Sequence, residues 1–338
     1  MIAATPNMPT LLLVNPRSRR GRQYFERYRR PLAHALNLVD WSLTDSRQHM
    51  TDRIQEGLNN GISRFIIGGG DGTLSAAADV LAGTPGVLGV LPLGTGNTFF
   101  YGLGLPLAPD ELVPILSNGT MSLFDVGVAQ KDQETTVFLN SLTIGFSERL
   151  VELLRRESKD RLGHWAWAVE FRRALKDTPT IHVQLTWPGG HDHYDTRQLV
   201  VVNGRTLAAR ITATPHSSAQ DGLLEVFRLG GPSFLSMLRL SAMLLLGRLP
   251  SDHQAHYHTL TGVNIECDPV LPVNIDGDIW LSPPLRCRVW PGALRVISRQ
   301  MTGPGPRRWP FITQAAGPSL THSTFTNRYS LKRGQNVD

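Results

Sequence analysis

The chain has 338 residues, of which 41% are hydrophobic, and it carries a formal net charge of +6 with a pI near 9.7. This length predicts two domains, and the apolar fraction is enough for ordinary cores, which excludes a largely disordered chain. The basic charge favours partners that carry phosphate but does not choose among nucleotides, nucleic acid and anionic lipid. We find no apolar run of about 18 residues and no basic patch before an apolar core at residues 1–9, so neither a membrane-spanning helix nor a signal peptide is predicted.

Residues 10–127 alternate between apolar runs bounded by glycine and segments with helical patterning. The predicted strands are 10–14, 38–43, 64–67 and 87–91, and the predicted helices lie near 22–35, 47–59 and 73–81. This alternation predicts a parallel sheet covered by helices. Ligands of such sheets bind at the carboxyl ends of the strands.

Two of these strands end in glycine loops, 68–73 and 93–97. The first, Gly-Gly-Gly-Asp-Gly-Thr, leads into a helix, and the second reads Leu-Gly-Thr-Gly-Asn. Glycine lets the backbone approach a ligand closely, and the N–H groups that begin a helix favour phosphate. Asp71 among these donors would repel phosphate unless it holds a metal or takes a proton, which indicates phosphoryl transfer. The alternative is that Asp71 only caps the following helix.

After about residue 127 the apolar segments become short and often alternating. Strands are predicted at 135–143, 180–187, 198–202, 223–228, 263–267, 273–275 and 287–289, which indicates a mostly antiparallel β domain. Helical segments at 162–175 and 233–249 either touch a membrane through an amphipathic face or pack between domains. Residues 301–338 are predicted to form a tail that is either mobile or packed back on the first domain.

Five motifs, in order, resemble the diacylglycerol kinase catalytic-domain family, whose superfamily also holds bacterial lipid kinases, sphingosine kinases and NAD kinases. They are an Asn-Pro loop at 14–21, the glycine loops at 69–73 and 92–97, an Asp-Gly-x-Leu turn at 220–226 and an Asp-Gly-Asp motif at 275–278. The resemblance spans roughly residues 10–298. It implies an α/β nucleotide-binding domain at 1–127, a β-rich lipid-substrate domain at 128–300 and an active site in the cleft between them.

The resemblance also implies ATP and Mg²⁺ as cofactors and assigns roles to particular residues. Asp71 and Asp278 are the expected catalytic residues, although the family usually has the longer glutamate at the second position. Asp221 is the expected ligand of a structural metal, a prediction weakened by Gln220 where relatives often have a second aspartate. The nucleotide is expected to contact Asn15, Thr44, Gly69, Gly70, Gly72, Thr73, Gly94, Thr95, Gly96 and Asn97.

Other chemistry-bearing residues leave alternatives open. The arginines of residues 17–30 either form a solvated helix face or meet nucleotide phosphates and anionic membrane. Asp276 is either a turn residue or a ligand, and Asp125 lies either at the domain junction or in a plain turn. The histidines of 253–258 are expected in a polar surface loop, and two buried thiols are expected at Cys267 and Cys287.

The leading hypothesis is therefore a Mg²⁺-dependent kinase that phosphorylates the hydroxyl of a lipid, diacylglycerol or a related one. The alternatives are an NAD kinase-like enzyme with a soluble substrate and a non-catalytic regulator that binds nucleotide or lipid. The expected partners are ATP, a lipid alcohol and, peripherally, an anionic membrane, with no nucleic acid; a homodimer is left open. The expected location is cytoplasmic and peripherally membrane-associated.

Overall fold

The computed structural model describes residues 2–18, 21–146, 178–204, 206–208, 211–212, 217–229 and 257–299. All of them belong to one compact unit, residues 1–304. The predicted helices at 162–175 and 233–249 and the tail at 301–338 lie outside the described residues, as do Arg19, Arg20, His253 and His256. The division into domains at residue 127 stays a prediction.

The helices are α1 (Gly21–Ala35), α2 (Arg47–Asn59), α3 (Asp71–Leu81), α4 (Thr98–Gly102) and α5 (Pro109–Asn118). The strands of the first half are β1 (Ile2–Ala3), β2 (Thr10–Val14), β3 (Leu38–Leu43), β4 (Arg64–Gly69), β5 (Val87–Pro92), β6 (Thr120–Lys131), β7 (Glu134–Phe138) and β8 (Ser141–Gly145). Those of the second half are β9 (Ile181–Trp187), β10 (Gly190–Thr196), β11 (Gln198–Val202), β12 (Thr206–Ala208), β13 (Ile211–Thr212), β14 (Leu224–Arg228), β15 (Tyr257–Leu260), β16 (Gly262–Asp268), β17 (Val273–Ile275), β18 (Asp278–Leu281) and β19 (Leu285–Ser298).

The parallel part of the first sheet has the strand order β3-β2-β4-β5. Every residue of β2, β4 and β5 is buried, as expected for strands covered by helices on both faces. Helices α1 and α5 pack against each other, and α2 packs against α3. Their apolar faces join the strands in one core, which fixes the carboxyl ends of β2 to β5 at one edge.

The last strand, β19, extends this sheet into an antiparallel one. Its end lies parallel to β5, with Arg295 opposite Val87, and β6 pairs antiparallel along its length. Its beginning pairs with β16, which is followed by β9 and β10. Together with β1 and β7, eleven of the described strands form this sheet. Residues of β9 and β16 alternate between buried and exposed, so only one face of this part meets a core.

A second, antiparallel sheet has the order β15-β14-β11-β8-β17-β18 among the described strands. Its inner face packs on the antiparallel part of the first sheet, with Leu142 and Val201 on one side and Val183 and Ile265 on the other. The fold class predicted from the sequence is confirmed: a parallel-rich α/β region is followed by a mostly antiparallel β region. None of the helices in the described part of the chain has the length and apolar composition that a membrane-spanning helix requires.

Two sequence predictions in this region are wrong in detail. The strand predicted at 135–143 is two strands, β7 and β8, because the N–H groups of Leu139 and Asn140 turn away to donate to the Asp276 carboxylate. His258 lies in strand β15 and not in a loop. Its Nε2 is 2.7 Å from Oδ2 of Asp192. The thiols of Cys267 and Cys287 are both buried, as expected.

Candidate active site

A cavity of about 450 Å³ lies at the carboxyl ends of the parallel strands. Its walls include most of the residues that the sequence analysis predicted to contact the nucleotide or to act in catalysis. These are Asn15, Thr44, Gly70, Gly72, Thr73, Gly94, Thr95 and Asp278. Four other predicted residues, Gly69, Asp71, Gly96 and Asn97, do not line this cavity, and their contacts show what they do instead.

The two glycine loops touch each other through their backbones. A Cβ atom on Gly94 would lie 2.4 Å from Cα of Gly70, so a side chain there would force the loops apart. Gly69 is equally restricted, because its Cβ would lie 2.4 Å from Cβ of Thr73. These glycines are therefore required first for packing, which brings the two strand ends together around one cavity.

Asn97 holds the second loop in shape. It has a left-handed backbone with φ of 50°, its Oδ1 accepts the N–H of Gly94 at 2.9 Å, and its Nδ2 donates to the Gly94 carbonyl at 3.0 Å. Asn15 acts similarly between the end of β2 and the first turn of α3, since its Oδ1 accepts the Arg17 N–H at 2.9 Å and its Nδ2 donates to Thr73 Oγ1 at 3.2 Å. Both side chains thus fix the geometry of the cavity wall.

Asp71 does not cap its own helix. Gly70 is the N-cap of α3, and Asp71 is the first helical residue. Its Oδ1 instead accepts the Phe99 N–H at 3.0 Å, in the first turn of α4. Its Oδ2 lies 3.0 Å from the position that a Cβ on Gly96 would take. The carboxylate therefore joins the first glycine loop to the helix that follows the second one.

The β17–β18 turn brings two more carboxylates to this region. Asp276, with φ of 50°, accepts the N–H groups of Leu139 at 2.6 Å, Asn140 at 2.9 Å and Ser141 at 3.0 Å. Burial raises the pKa of Asp276 to about 6, and repulsion from Asp71 acts in the same direction, against the three hydrogen bonds. Asp276 is therefore both a turn residue and a buried carboxylate close to Asp71.

Asp278 reaches the cavity from the second sheet. Its Oδ2 lies 2.9 Å from the position that a Cβ on Gly72 would take, so it rests against the first turn of α3. The N–H groups of that turn have no partner within the helix and favour an anion. A phosphate at the same place would lie beside this carboxylate and would need a cation between them.

The sequence missed part of the cavity wall, namely Ser18, Asp45, Ser46, Arg47, Met50 and Ala76. Ser46 is the N-cap of α2, with its Oγ accepting the His49 N–H at 3.1 Å. Arg47 forms an ion pair with Asp79 on α3, and the other oxygen of Asp79 accepts the Val137 N–H at 2.9 Å. The polar run after β3, which lies at the same sheet edge as the glycine loops, was the signal for Asp45, Ser46 and Arg47.

Asp221 lies in a separate place, beside Asp125. Its Oδ1 accepts the Leu223 N–H at 3.0 Å. Burial raises the pKa of Asp221 to about 6, and repulsion from Asp125 and Glu225 adds to this. Asp125 belongs to β6 and accepts the N–H groups of Gly222 and Gly292, each at 2.7 Å. In the described ranges no three His, Cys, Asp or Glu side chains are grouped as metal ligands, so metal binding at Asp221 stays a prediction.

The cavity at the strand ends fits a metal that arrives together with a bound polyphosphate. Mg²⁺ is usually held by one or two carboxylates together with substrate phosphates. Asp278 and Asp45 supply carboxylates on the cavity wall, and the first turn of α3 supplies the anion-binding N–H groups. The arrangement is therefore suited to a metal–polyphosphate complex rather than to a metal held by protein alone.

Comparison with known proteins agrees with this geometry. Residues 9–129 match the model of the diacylglycerol kinase catalytic domain, and residues 140–298 match that of the YegS C-terminal NAD kinase beta sandwich-like domain. A protein of Pseudomonas fluorescens named "Probable lipid kinase YegS-like" is 32% identical over 260 residues, covering 76% of this chain and 83% of its own length. A protein of the same name from Pseudomonas putida is 30% identical over 265 residues, with the same coverage.

Solved structures show the same fold. A crystal structure of a diacylglycerol kinase from Bacillus anthracis superposes with a TM-score of 0.67 at 22% identity, covering 87% of this chain and 97% of that one. Another structure from the same bacterium superposes with a TM-score of 0.72 at 23% identity, covering 87% and 98%. With both halves matched by family models and relatives covered over most of their length, the chain belongs to the YegS-like lipid kinases of the diacylglycerol kinase catalytic-domain family.

Proposed function

We propose that this protein transfers the γ-phosphoryl group of ATP to a hydroxyl of a lipid, diacylglycerol or a related one. The observation that carries the proposal is the position of Asp278. A carboxylate from the second sheet lies against the phosphate-favouring first turn of α3, beside two glycine loops in contact. Phosphoryl transfer needs this combination of anion-binding backbone and a carboxylate that Mg²⁺ can bridge.

The nucleotide phosphates would lie in the 450 Å³ cavity. Gly70, Gly72 and Thr73 lie at the start of α3 on the cavity wall, and Thr95 lies at the exposed tip of the second loop. Arg17 and Arg47 bring positive charge to the wall. Gly69, Gly96 and Asn97 act indirectly, by holding the two loops in shape.

The acceptor hydroxyl would approach on the side of Asp71. Oδ1 of Asp71 accepts the Phe99 N–H, and this hydrogen bond fixes the orientation of the carboxylate. Oδ2 then remains to take the proton of the hydroxyl. General-base catalysis of this kind contributes roughly a hundredfold to ten-thousandfold in rate. Bound Mg²⁺ would neutralise the charge between the phosphates and Asp278.

The family adds support for the class of acceptor. The relatives are named as lipid kinases, and the matched solved structure as a diacylglycerol kinase. A lipid acceptor resides in a bilayer, so the protein must reach an anionic membrane surface, for which its net charge of +6 is suited.

The test is phosphate transfer from labelled ATP to a panel of lipid alcohols in mixed micelles with Mg²⁺. We expect a labelled lipid from the native protein and at least a hundredfold less from Asp71→Asn, because the amide keeps an acceptor for Phe99 but cannot take a proton. Asp52→Asn, on the exposed face of α2, is the matched control and should leave the rate unchanged.

Two results would contradict the proposal. Bound ATP without any labelled lipid would favour the non-catalytic regulator. Formation of NADP from NAD, in a parallel reaction without lipid, would favour a soluble-substrate kinase.

A further inference from the structure

The cavity at the sheet edge extends along the ends of several parallel strands. Its wall includes Gly94 after β5, Gly70 after β4, Asn15 after β2 and Asp45 after β3, and these strands lie in the order β5-β4-β2-β3. Neighbouring strands are about 4.8 Å apart, so the ends of β4 and β3 are roughly 10 Å apart. A nucleotide in the cavity would therefore have its phosphates and its nucleoside beside different strands.

The phosphates belong at the β4 end. The first turn of α3 presents N–H groups without partners in the helix, and Asp278 rests against that turn, where it is placed to share a cation with them. The β3 end also meets a helix N-terminus, that of α2, but Asp45 precedes this helix and its carboxylate would repel a phosphate. Arg47 does not remove this repulsion, because it is ion-paired with Asp79.

Asp45 is an ionised carboxylate that a ligand can reach. Its Oδ1 lies 3.0 Å from Nδ1 of His49, one turn further along α2. This hydrogen bond lowers the pKa of Asp45, so the side chain is charged at neutral pH. The Asp45 side chain is 76% exposed, and the two oxygens of a carboxylate offer about four acceptor sites. Asp45 is therefore able to hold His49 and a ligand at the same time.

The start of α2 does not need Asp45 as its cap. Ser46 is the N-cap, and its Oγ already accepts the His49 N–H at 3.1 Å. A carboxylate beside a helix N-terminus is favourable, but only modestly so at an exposed position. The place of Asp45 on the cavity wall leaves this carboxylate open to a second task.

A carboxylate only accepts hydrogen bonds, so its partner must be a donor without negative charge. In a nucleotide such donors are the ribose hydroxyls and the amino group of the base. The apolar part of the cavity wall is suited to the base, since Met50 and Ala76 are buried side chains of the packed helices α2 and α3. The exposed Asp45 is then left for the ribose, which lies between the base and the phosphates.

We propose that Asp45 accepts a hydrogen bond from the ribose hydroxyls of the nucleotide, so that the enzyme selects ribonucleotides against their deoxy counterparts. This inference rests on the proposed kinase function, because it takes ATP to be the occupant of the cavity. It adds the residue that distinguishes the sugar, at the opposite end of the cavity from Asp278.

The experiment measures the Kd of ATP, 2′-deoxy-ATP and 3′-deoxy-ATP by isothermal titration calorimetry with Mg²⁺ and without lipid. We expect the native protein to bind ATP about tenfold more tightly than at least one deoxy analogue, the lower end for a hydrogen bond to a charged group, because Asp45 is exposed. Asp45→Ala should bind all three nucleotides alike. It should not weaken binding of the discriminated analogue, because losing a negative charge does not disfavour a polyphosphate. Asp45→Asn keeps an acceptor oxygen and should retain part of the preference.

Asp52→Ala is the matched control and should keep the native preference. Asp52 is an exposed carboxylate of the same helix, its Oδ1 accepts a hydrogen bond from Gln48 one turn away at 2.6 Å, and it is not part of the cavity wall. The inference is overturned if the native protein binds the three nucleotides alike. It is also overturned if Asp45→Ala weakens all three by the same factor, since Asp45 would then only stabilise α2.

The same titrations separate this inference from the kinase proposal. Selective binding of ATP by a protein that phosphorylates no lipid would overturn the kinase proposal and leave the sugar contact in place. A native protein that binds none of the three nucleotides would overturn both.

Discussion

The carboxylates of this protein differ in what their oxygens already bind. Asp276 accepts three backbone N–H groups, Asp71 accepts the Phe99 N–H with one oxygen, and Asp278 rests against a helix terminus. Asp221 accepts one N–H group and lies beside other acids. Side chains of the same type therefore have different tasks, which the environment of each decides.

Asp221 gives a pH-dependent prediction. Its pKa is about 6 in the folded protein against 3.8 for the ordinary group, so between these values the folded state holds a proton that the unfolded chain has released. This contribution to the free energy of unfolding therefore falls as pH rises from about 4 to 6. Asp221→Asn keeps the acceptor for Leu223 and removes the titration.

We expect Asp221→Asn, in metal-free buffer, to gain stability relative to the native protein as pH rises through this window, with a constant difference above it. Urea denaturation at closely spaced pH values measures this. If the predicted structural metal binds at Asp221, added Mg²⁺ will raise the Tm of the native protein and not that of the variant. A difference in stability that does not vary with pH would contradict the assignment.

At the scale of elements, the site depends on backbones that approach closely. The two glycine loops are in contact, and the β17–β18 turn places Asp278 against α3. Gly72 is the position where α3 and that turn meet. Its backbone is helical, without positive φ, so its role is to leave room for Asp278 rather than to permit an unusual conformation.

Gly72→Ala tests this contact. Alanine in a helix is favoured over glycine by up to about 1 kcal/mol, so the substitution should leave the Tm unchanged or raise it. Its Cβ would lie 2.9 Å from Asp278 Oδ2 and would displace the carboxylate. A displacement of about an ångström can cost on the order of a hundredfold in rate.

The measurements are thermal unfolding and the rate of lipid phosphorylation. Gly94→Ala serves as the contrasting variant, because its Cβ would meet the backbone of Gly70 at 2.4 Å and should lower both stability and rate. Full activity of Gly72→Ala would show that the position of Asp278 is not critical.

For the whole molecule, one strand joins the two regions. β19 lies between β16 and β6 at its beginning and between β5 and β6 at its end. It contributes buried side chains to each core, with Leu285 and Val289 in the sandwich and Leu294 and Val296 in the α/β core. The site lies where these cores meet, so β19 holds the two halves of the site in one structure.

A chain ending at residue 284, without β19, should not fold. Each lost buried aliphatic side chain removes about 1.5–3 kcal/mol, and four or five of them equal the whole stability of a typical domain, about 5–15 kcal/mol. A chain ending at residue 304 keeps the compact unit and should still unfold cooperatively. Thermal unfolding of both chains, followed by circular dichroism, tests this prediction. A cooperative transition in the chain ending at residue 284 would refute the role given to β19.

The sequence by itself determined the elements and the motifs. Short runs rich in apolar residues predict strands, so β2, β3 and β11 were predicted with their observed bounds, and the glycine loops were placed at strand ends. These are local properties, because hydrophobic periodicity and glycine content act within a few residues. The family resemblance followed from the same motifs and their order.

Only the tertiary structure decided which groups meet. Asp276 is bound by an N–H group 136 residues earlier in the chain, and that contact, not local propensity, divides β7 from β8. The contact of Asp71 with α4 and the approach of Asp278 to Gly72 are likewise long-range. No local pattern encodes such pairings, since they arise from how the sheets pack, and they decide what each side chain of the site can do.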